Sequence, residues 1–227
     1  MKKTTHTLGI LSVLGLATIV MPLYAYEAGD WLVRGRIINI NPNDASGQLY
    51  TDGVASGQGV SVNDDTVPEL DITYMLSKHW GMELILGYSE HTVKGVKNWK
   101  SLGDVADTKV LPPTLLLQYH FLPDATIRPY IGAGINYTYF FDEDVPGILG
   151  TPGAKVKLDS SWGLAAQAGV DIAINQDWFV NIDMKYIDID TQAHYTNILG
   201  GTIQKATINT EIDPIVFDTD ISRTILN

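Results

Sequence analysis

The chain has 227 residues, 15 Lys and Arg against 26 Asp and Glu, a formal net charge of −11, 45% hydrophobic residues and no cysteine. Disulfides, thiolate metal sites and cysteine nucleophiles are therefore excluded. The acidic balance argues against nucleic acid as a partner, because gripping a phosphate backbone needs clustered Lys and Arg.

Residues 1–25 have the anatomy of a secretory signal peptide. Lys2 and Lys3 form a positive start, Leu8 to Val20 is apolar with only Gly, Ser and Thr interrupting, Pro22 breaks any helix, and Ala25 offers a small residue for cleavage. The apolar run is shorter than the ~20 residues that a spanning helix needs. Cleavage near Ala25 is expected, leaving one domain over 26–227. No later stretch is long and apolar enough for a spanning helix. In a membrane, that domain has to be a closed β-barrel, since lipid satisfies no backbone hydrogen bond.

Period-two alternation predicts eight antiparallel strands. Trp31, Val33, Gly35 and Ile37 alternate with Leu32, Arg34, Arg36 and Ile38. Leu70 to Leu76, with Glu69, Asp71 and Thr73 on the other face, makes the second strand. Met82 to Tyr88 makes the third, opposed by Glu83 and Ile85, and Leu111 to Phe121 the fourth. Ile131 to Tyr139 and Trp162 to Ile172 are the fifth and sixth; Trp178 to Tyr186, against Asn181, Asp183 and Lys185, is the seventh. Ile215, Phe217, Thr219 and Ile221 give an eighth, weaker strand.

Connections alternate in length. Short ones lie at Ser77–His79, Leu122–Thr126 and Asn175–Asp177, and long ones at Asn41–Asp65, Thr92–Lys109, Asp142–Lys157 and Thr191–Ala206. Short periplasmic turns and long outer loops mark outer-membrane barrels. Trp31, Trp80, Phe121 and Trp178 fall at the short-turn ends; Tyr88, Tyr137, Tyr139, Phe141 and Tyr186 fall at the long-loop ends. These are two aromatic girdles. A soluble barrel also alternates, but it wants its polar face outside, whereas here the charges share the narrow inner face.

An eight-stranded barrel is just wide enough to be filled by side chains or to hold one small ligand. The predicted lumen polar network is Arg34, Arg36, Glu69, Asp71, Glu83, Arg128, Asp171, Asp183 and Lys185. Opposite charges in near balance read as a rigidifying plug, because buried charges must pair; a gated polar path is the sharper alternative. Asp142, Glu143, Asp144, Asp188 and Asp190 read as a solvated acidic rim. No metal site, cofactor or catalytic set is expected, since His91, His120 and His194 have no readable Ser–acid partners.

Several segments in order resemble the OmpW family of small outer-membrane barrels: Tyr26-Glu-Ala-Gly-Asp-Trp31, Leu111-Pro-Pro-Thr-Leu115, Arg128 to Asp142, Asp159 to Gly163, Asn175 to Trp178, Tyr186 to Thr191 and Asp213-Pro214. The resemblance implies an eight-stranded barrel in the bacterial outer membrane that passes small hydrophobic solutes. It also implies outer-membrane lipid, lipopolysaccharide and the barrel-assembly machinery as partners. The sequence departs from the family at its end, Asp218 to Asn227, which lacks the terminal aromatic that the assembly machinery reads.

The resemblance implies a sideways exit. Pro112, Pro113, Pro129 and Pro214 fall in predicted strands, and each removes an N–H from the ladder. They are the candidate lateral exit, or else strand ends and bulges. Leu49, Tyr50, Val54, Trp99, Leu102, Ile148 and Leu149 are apolar residues in polar loops, and form the candidate hydrophobic entrance unless they pack the loops together. The competing function is a structural or surface-interaction barrel, serving adhesion or as a phage or bacteriocin receptor. An open apolar cavity in the outer lumen would separate the two.

Overall fold

The computed structural model describes residues 25–41, 44–51, 54–55, 59–212 and 214–225; residues 1–24 of the expected signal peptide 1–25 lie outside them. From the periplasmic end, β1 (Trp31–Ile40) rises into β2 (Asp44–Thr51), β3 (Val54–Ala55) and β4 (Val60–Val62), and β5 (Asp65–Met75) descends. After a short turn, β6 (Trp80–Gly87) and β7 (Ser89–Gly95) rise in line, and β8 (Asp104–Leu111) and β9 (Thr114–His120) descend in line. The long β10 (Ile127–Asp144) rises, followed by β11 (Lys155–Leu158) and β12 (Ser161–Ala173). Last come β13 (Trp178–Ile187) with β14 (Asp190–Ile198), and β15 (Ile203–Ile212) with β16 (Ile215–Ile225).

Eight of these close a cylinder in the order β1-β5-β6-β9-β10-β12-β13-β16, with β16 returning to β1. Closure leaves no lipid-facing sheet edge, the condition under which strands cross a bilayer. The lipid side shows a continuous apolar surface that includes Leu70, Leu84, Leu117, Ile131, Ile135 and Ile182. Trp31 leans on Tyr74 at 4.9 Å between ring centres, Trp80 on Tyr119 at 5.0 Å, and Arg223 sits 5.8 Å over Trp178. These belong to the periplasmic girdle. Tyr88, Tyr139 and Phe141 cluster in the outer one.

The stretches expected as long outer loops are largely strand. β4, β7 and β8 form an extension on the edge of β10, and β11, β14, β15, β2 and β3 form a second sheet. Together they continue the cylinder outward as a two-walled crown. The alternation there changes sides. Within the membrane the inward positions of β10 are polar Asn136 and Thr138, yet inward Phe140 is apolar; β13 turns Asp183 and Lys185 inward, yet the inward residues Ile187, Ile189, Ala193 and Tyr195 beyond them are apolar. Above the outer girdle, water is outside, so the apolar face turns in.

Inside the narrow barrel, glycine makes room. A Cβ at Gly169 would lie 2.5 Å from the Tyr130 ring, which lies over it. Gly169→Ala is expected to destabilise the barrel by about 1–3 kcal/mol through overpacking, read as a lower unfolding temperature in the heat-modifiable gel-mobility assay.

A buried charge network beneath an apolar cavity

The inward residues divide into two layers. In the periplasmic half, Arg34 lies 2.8 Å from Glu83, 2.7 Å from Thr73 and 3.2 Å from Asp171. One turn of the inner face higher, Arg36 reaches Asp183 at 2.8 Å, Asp71 at 3.1 Å, Asn181 at 3.0 Å and Asp220 at 3.3 Å. Lys185 pairs with Glu69 and lies 3.4 Å from Asp71. Eight of the nine predicted network residues therefore meet in one connected cluster. The ninth, Arg128, is buried nearer the periplasmic opening, where its Nε–H donates to the Ala125 carbonyl at 2.8 Å and its guanidinium lies 4.3 Å from the Tyr26 ring centre.

Six carboxylates in this cluster face three cations, Arg34, Arg36 and Lys185, so neutral donors complete it. Tyr26 donates to Asp171 at 2.9 Å, Asn181 to Asp171 at 2.6 Å, Gln167 to Asp183 at 2.8 Å, and Tyr130 to Asp183 at 3.1 Å. Sequence reasoning missed these donors because a lone Gln, Asn or Tyr on a strand carries no charge pattern. Tyr26, 1% exposed and packed with Leu32, Met75 and Phe179, closes the periplasmic end. A signal was available, since it begins the expected mature chain and heads the first resemblance segment.

Above Glu69 and Lys185 the interior becomes apolar. Ile38, Ile85, Val110, Phe140, Ile187 and Val216 surround the lower part of a cavity whose empty space, taken out to its open mouth, is about 1100 Å³. Val60, Val93, Ala106, Ala193, Tyr195 and Ile208 line its upper part in the crown. Burial lowers the pKa of His91 and raises that of Tyr195, so both favour their neutral forms. The charged floor and the apolar walls thus bound a deep apolar cavity that runs from the outer half of the barrel into the crown.

One side of the well is incompletely zipped. β6 pairs with β9 as far as Ile85–Thr114, and β7 resumes with β8 at Ser89–Val110 in the same register. Among the described residues no registered pair joins 86–88 to 111–113. Pro112 has no N–H to offer; the Pro113 carbonyl accepts the Tyr137 N–H of β10 at 3.0 Å, so Pro113 belongs to the neighbouring seam; and Gly87 has no side chain, where a Cβ would meet nothing within 4 Å. Gly87 and Pro112 stand opposite each other and both line the cavity.

Pro214 occupies the matching break between β15 and β16 and also lines the cavity, but its carbonyl accepts the Ile187 N–H at 3.4 Å. Pro129 lies elsewhere: it is registered with Val170 near the periplasmic end, and its carbonyl accepts the Phe121 N–H at 2.9 Å. A proline inside a paired strand at that end does not border the outer cavity.

The expected entrance residues are also placed elsewhere. Leu149 is buried in the crown core, Trp99 and Leu102 pack against it, and Ile148 is exposed; none of the four lines the cavity. Leu149, Trp99 and Leu102 instead pack the outer connections together. The side chains of Leu49, Tyr50 and Val54 lie outside the described residues.

The OmpW family model matches residues 27–225. Outer membrane protein W of Vibrio cholerae is 39% identical over 96% of this chain and 96% of its own length, and that of Escherichia coli is 39% identical over 86% and 87%. The crystal structure of the outer membrane protein OprG from Pseudomonas aeruginosa superposes with a TM-score of 0.84 at 34% identity, covering 90% of this chain and all of that one. This chain is a bacterial outer-membrane β-barrel and belongs to the OmpW family.

Proposed function

We propose that the barrel is a passive channel for small hydrophobic solutes, which enter the outer well and leave sideways into the membrane. The observation that carries this reading is the apolar cavity set directly on a buried charge network. A greasy solute gains by leaving water for the cavity. It gains nothing by crossing a layer in which Arg34, Arg36 and Lys185 are bound to carboxylates at 2.8–3.4 Å or closer. The path of least resistance is the Gly87–Pro112 gap, where the wall is thinnest and the ladder lacks donors. The open cavity favours this function over a structural or receptor barrel, whose outer lumen could be filled.

The test is uptake by cells with and without the barrel, using a small aromatic hydrocarbon and a sugar of similar size. Faster entry of the hydrocarbon alone is the expected result, and equal entry in both strains would overturn the channel. The exit has its own test. Pro112→Ala with Pro113→Ala restores one N–H on the side of the gap, at 112, and one toward β10, at 113, and hydrocarbon uptake is expected to fall several-fold while heat-modifiable mobility stays normal. Unchanged uptake would remove this gap as the exit.

A further inference from the structure

The cavity walls are not uniformly apolar. At mid-height Ser89, His91 and Thr108 face in from the β7–β8 wall, and Thr191 and Thr210 face in from the β14–β15 wall. In the strand order these two walls are opposite each other around the cylinder. All five side chains are buried, and apolar residues lie both below them and above them.

Their hydrogen bonds decide what the collar can offer. His91 Nδ1 lies 3.0 Å from the Asn63 carbonyl oxygen, and Nε2 lies 3.0 Å from Ser89 Oγ. A carbonyl oxygen can only accept, so Nδ1 carries the proton. The neutral ring then accepts at Nε2, and the Ser89 hydroxyl donates to it. Burial lowers the His91 pKa, which keeps the ring in that form at neutral pH. Thr191 spends its own donor on the Asp159 carbonyl at 2.7 Å. With its proton committed to the imidazole, the buried Ser89 hydroxyl that lines the cavity is left to a solute only as an acceptor.

We infer that the Ser89–His91 pair is a hydrogen-bonding subsite, so that the cavity takes amphipathic solutes with a compact hydrocarbon body and one hydroxyl, phenols and alcohols, in preference to bare hydrocarbon. This rests on the cavity being the solute site proposed above. A hydroxyl donor meeting Ser89 Oγ replaces a water bond with one inside a dry, pre-positioned site. Such a neutral bond gives a preference of about fivefold.

The pair p-cresol and p-xylene isolates that bond, because they differ only in a hydroxyl for a methyl group. Binding is measured by NMR titration of cavity methyl signals in the full mature barrel in lipid nanodiscs. Each affinity is referred to the solute's partition into the same lipid without protein. The expected result is an approximately fivefold preference for p-cresol, abolished in the double variant Ser89→Ala, His91→Phe. In the wild-type protein, p-cresol but not p-xylene is also expected to shift the His91 imidazole nitrogen signals, which tests the subsite without any substitution. Binding of both solutes with no preference, or a preference that survives in the folded double variant, would overturn the subsite alone. Failure of both solutes to shift the cavity signals would overturn the solute-cavity reading and the subsite with it.

Discussion

Arg36→Met is expected to destabilise the barrel by about 3–5 kcal/mol, the usual consequence of leaving buried charges without their partner. Arg36 is the most heavily engaged cation of the network, touching Asp71, Asp183 and Asp220 within 3.3 Å and the Asn181 amide oxygen at 3.0 Å. Methionine fills nearly the same volume, so little of the loss comes from packing. What changes is that three carboxylates, all nearly inaccessible to solvent, lose their common counter-charge. Lys185 is close to Asp71 but already holds Glu69, so it cannot serve all three. Urea unfolding of the refolded barrel in lipid measures the effect. Replacing Arg36 together with Asp183 and Asp71 by apolar residues of like size is expected to recover much of it, because the penalty lies in the unpaired charges and not in the missing cation itself. An Arg36→Met barrel as stable as the parent would mean that the network is not what rigidifies the periplasmic half.

The sequence made the membrane barrel legible because one rule governs every spanning strand: apolar toward lipid, polar toward the lumen, with aromatic residues at the interfaces. Arg34, Arg36, Glu83, Asp171, Asp183 and Lys185 all follow from that rule by parity alone. The crown did not follow, since the rule reverses where the strands leave the bilayer. Ile187, Ile189, Ala193 and Tyr195 continue the inward parity of Asp183 and Lys185, but they change from charged to apolar. Read against a single phase, such a segment loses its alternation and passes for a loop. The residues that line the cavity were missed for the same reason. Ile38 and Ile85 are inward by parity, yet as isolated apolar residues beside Arg36 and Glu83 they gave no sign of a second layer. The prolines were visible, but only the register of β6 with β9 and of β7 with β8 distinguishes Pro112, at a gap, from Pro129, inside a ladder.

That second layer is where the largest functional effect is expected. Ala106, 1% exposed, is registered opposite Val93 and lines the upper cavity, above the Ser89–His91 pair and well away from the charge network. Ala106→Trp puts a large, rigid ring into the well. The crown walls have to give slightly, at about 1–3 kcal/mol of stability, which leaves the spanning barrel and its gel mobility intact. Occupying the well removes the space that a solute of 8–10 heavy atoms would need, so hydrocarbon uptake is expected to fall about tenfold or more, toward that of cells lacking the barrel. The comparison with Arg36→Met is informative, because the two substitutions separate the layers: one weakens the barrel and leaves the cavity in place, the other fills the cavity and leaves the network in place. Uptake that survives Ala106→Trp at the parental rate, in a correctly folded barrel, would show that solutes do not travel through the outer well. Loss of uptake without loss of folding would place the transport path there, between the crown and the gap at Gly87 and Pro112.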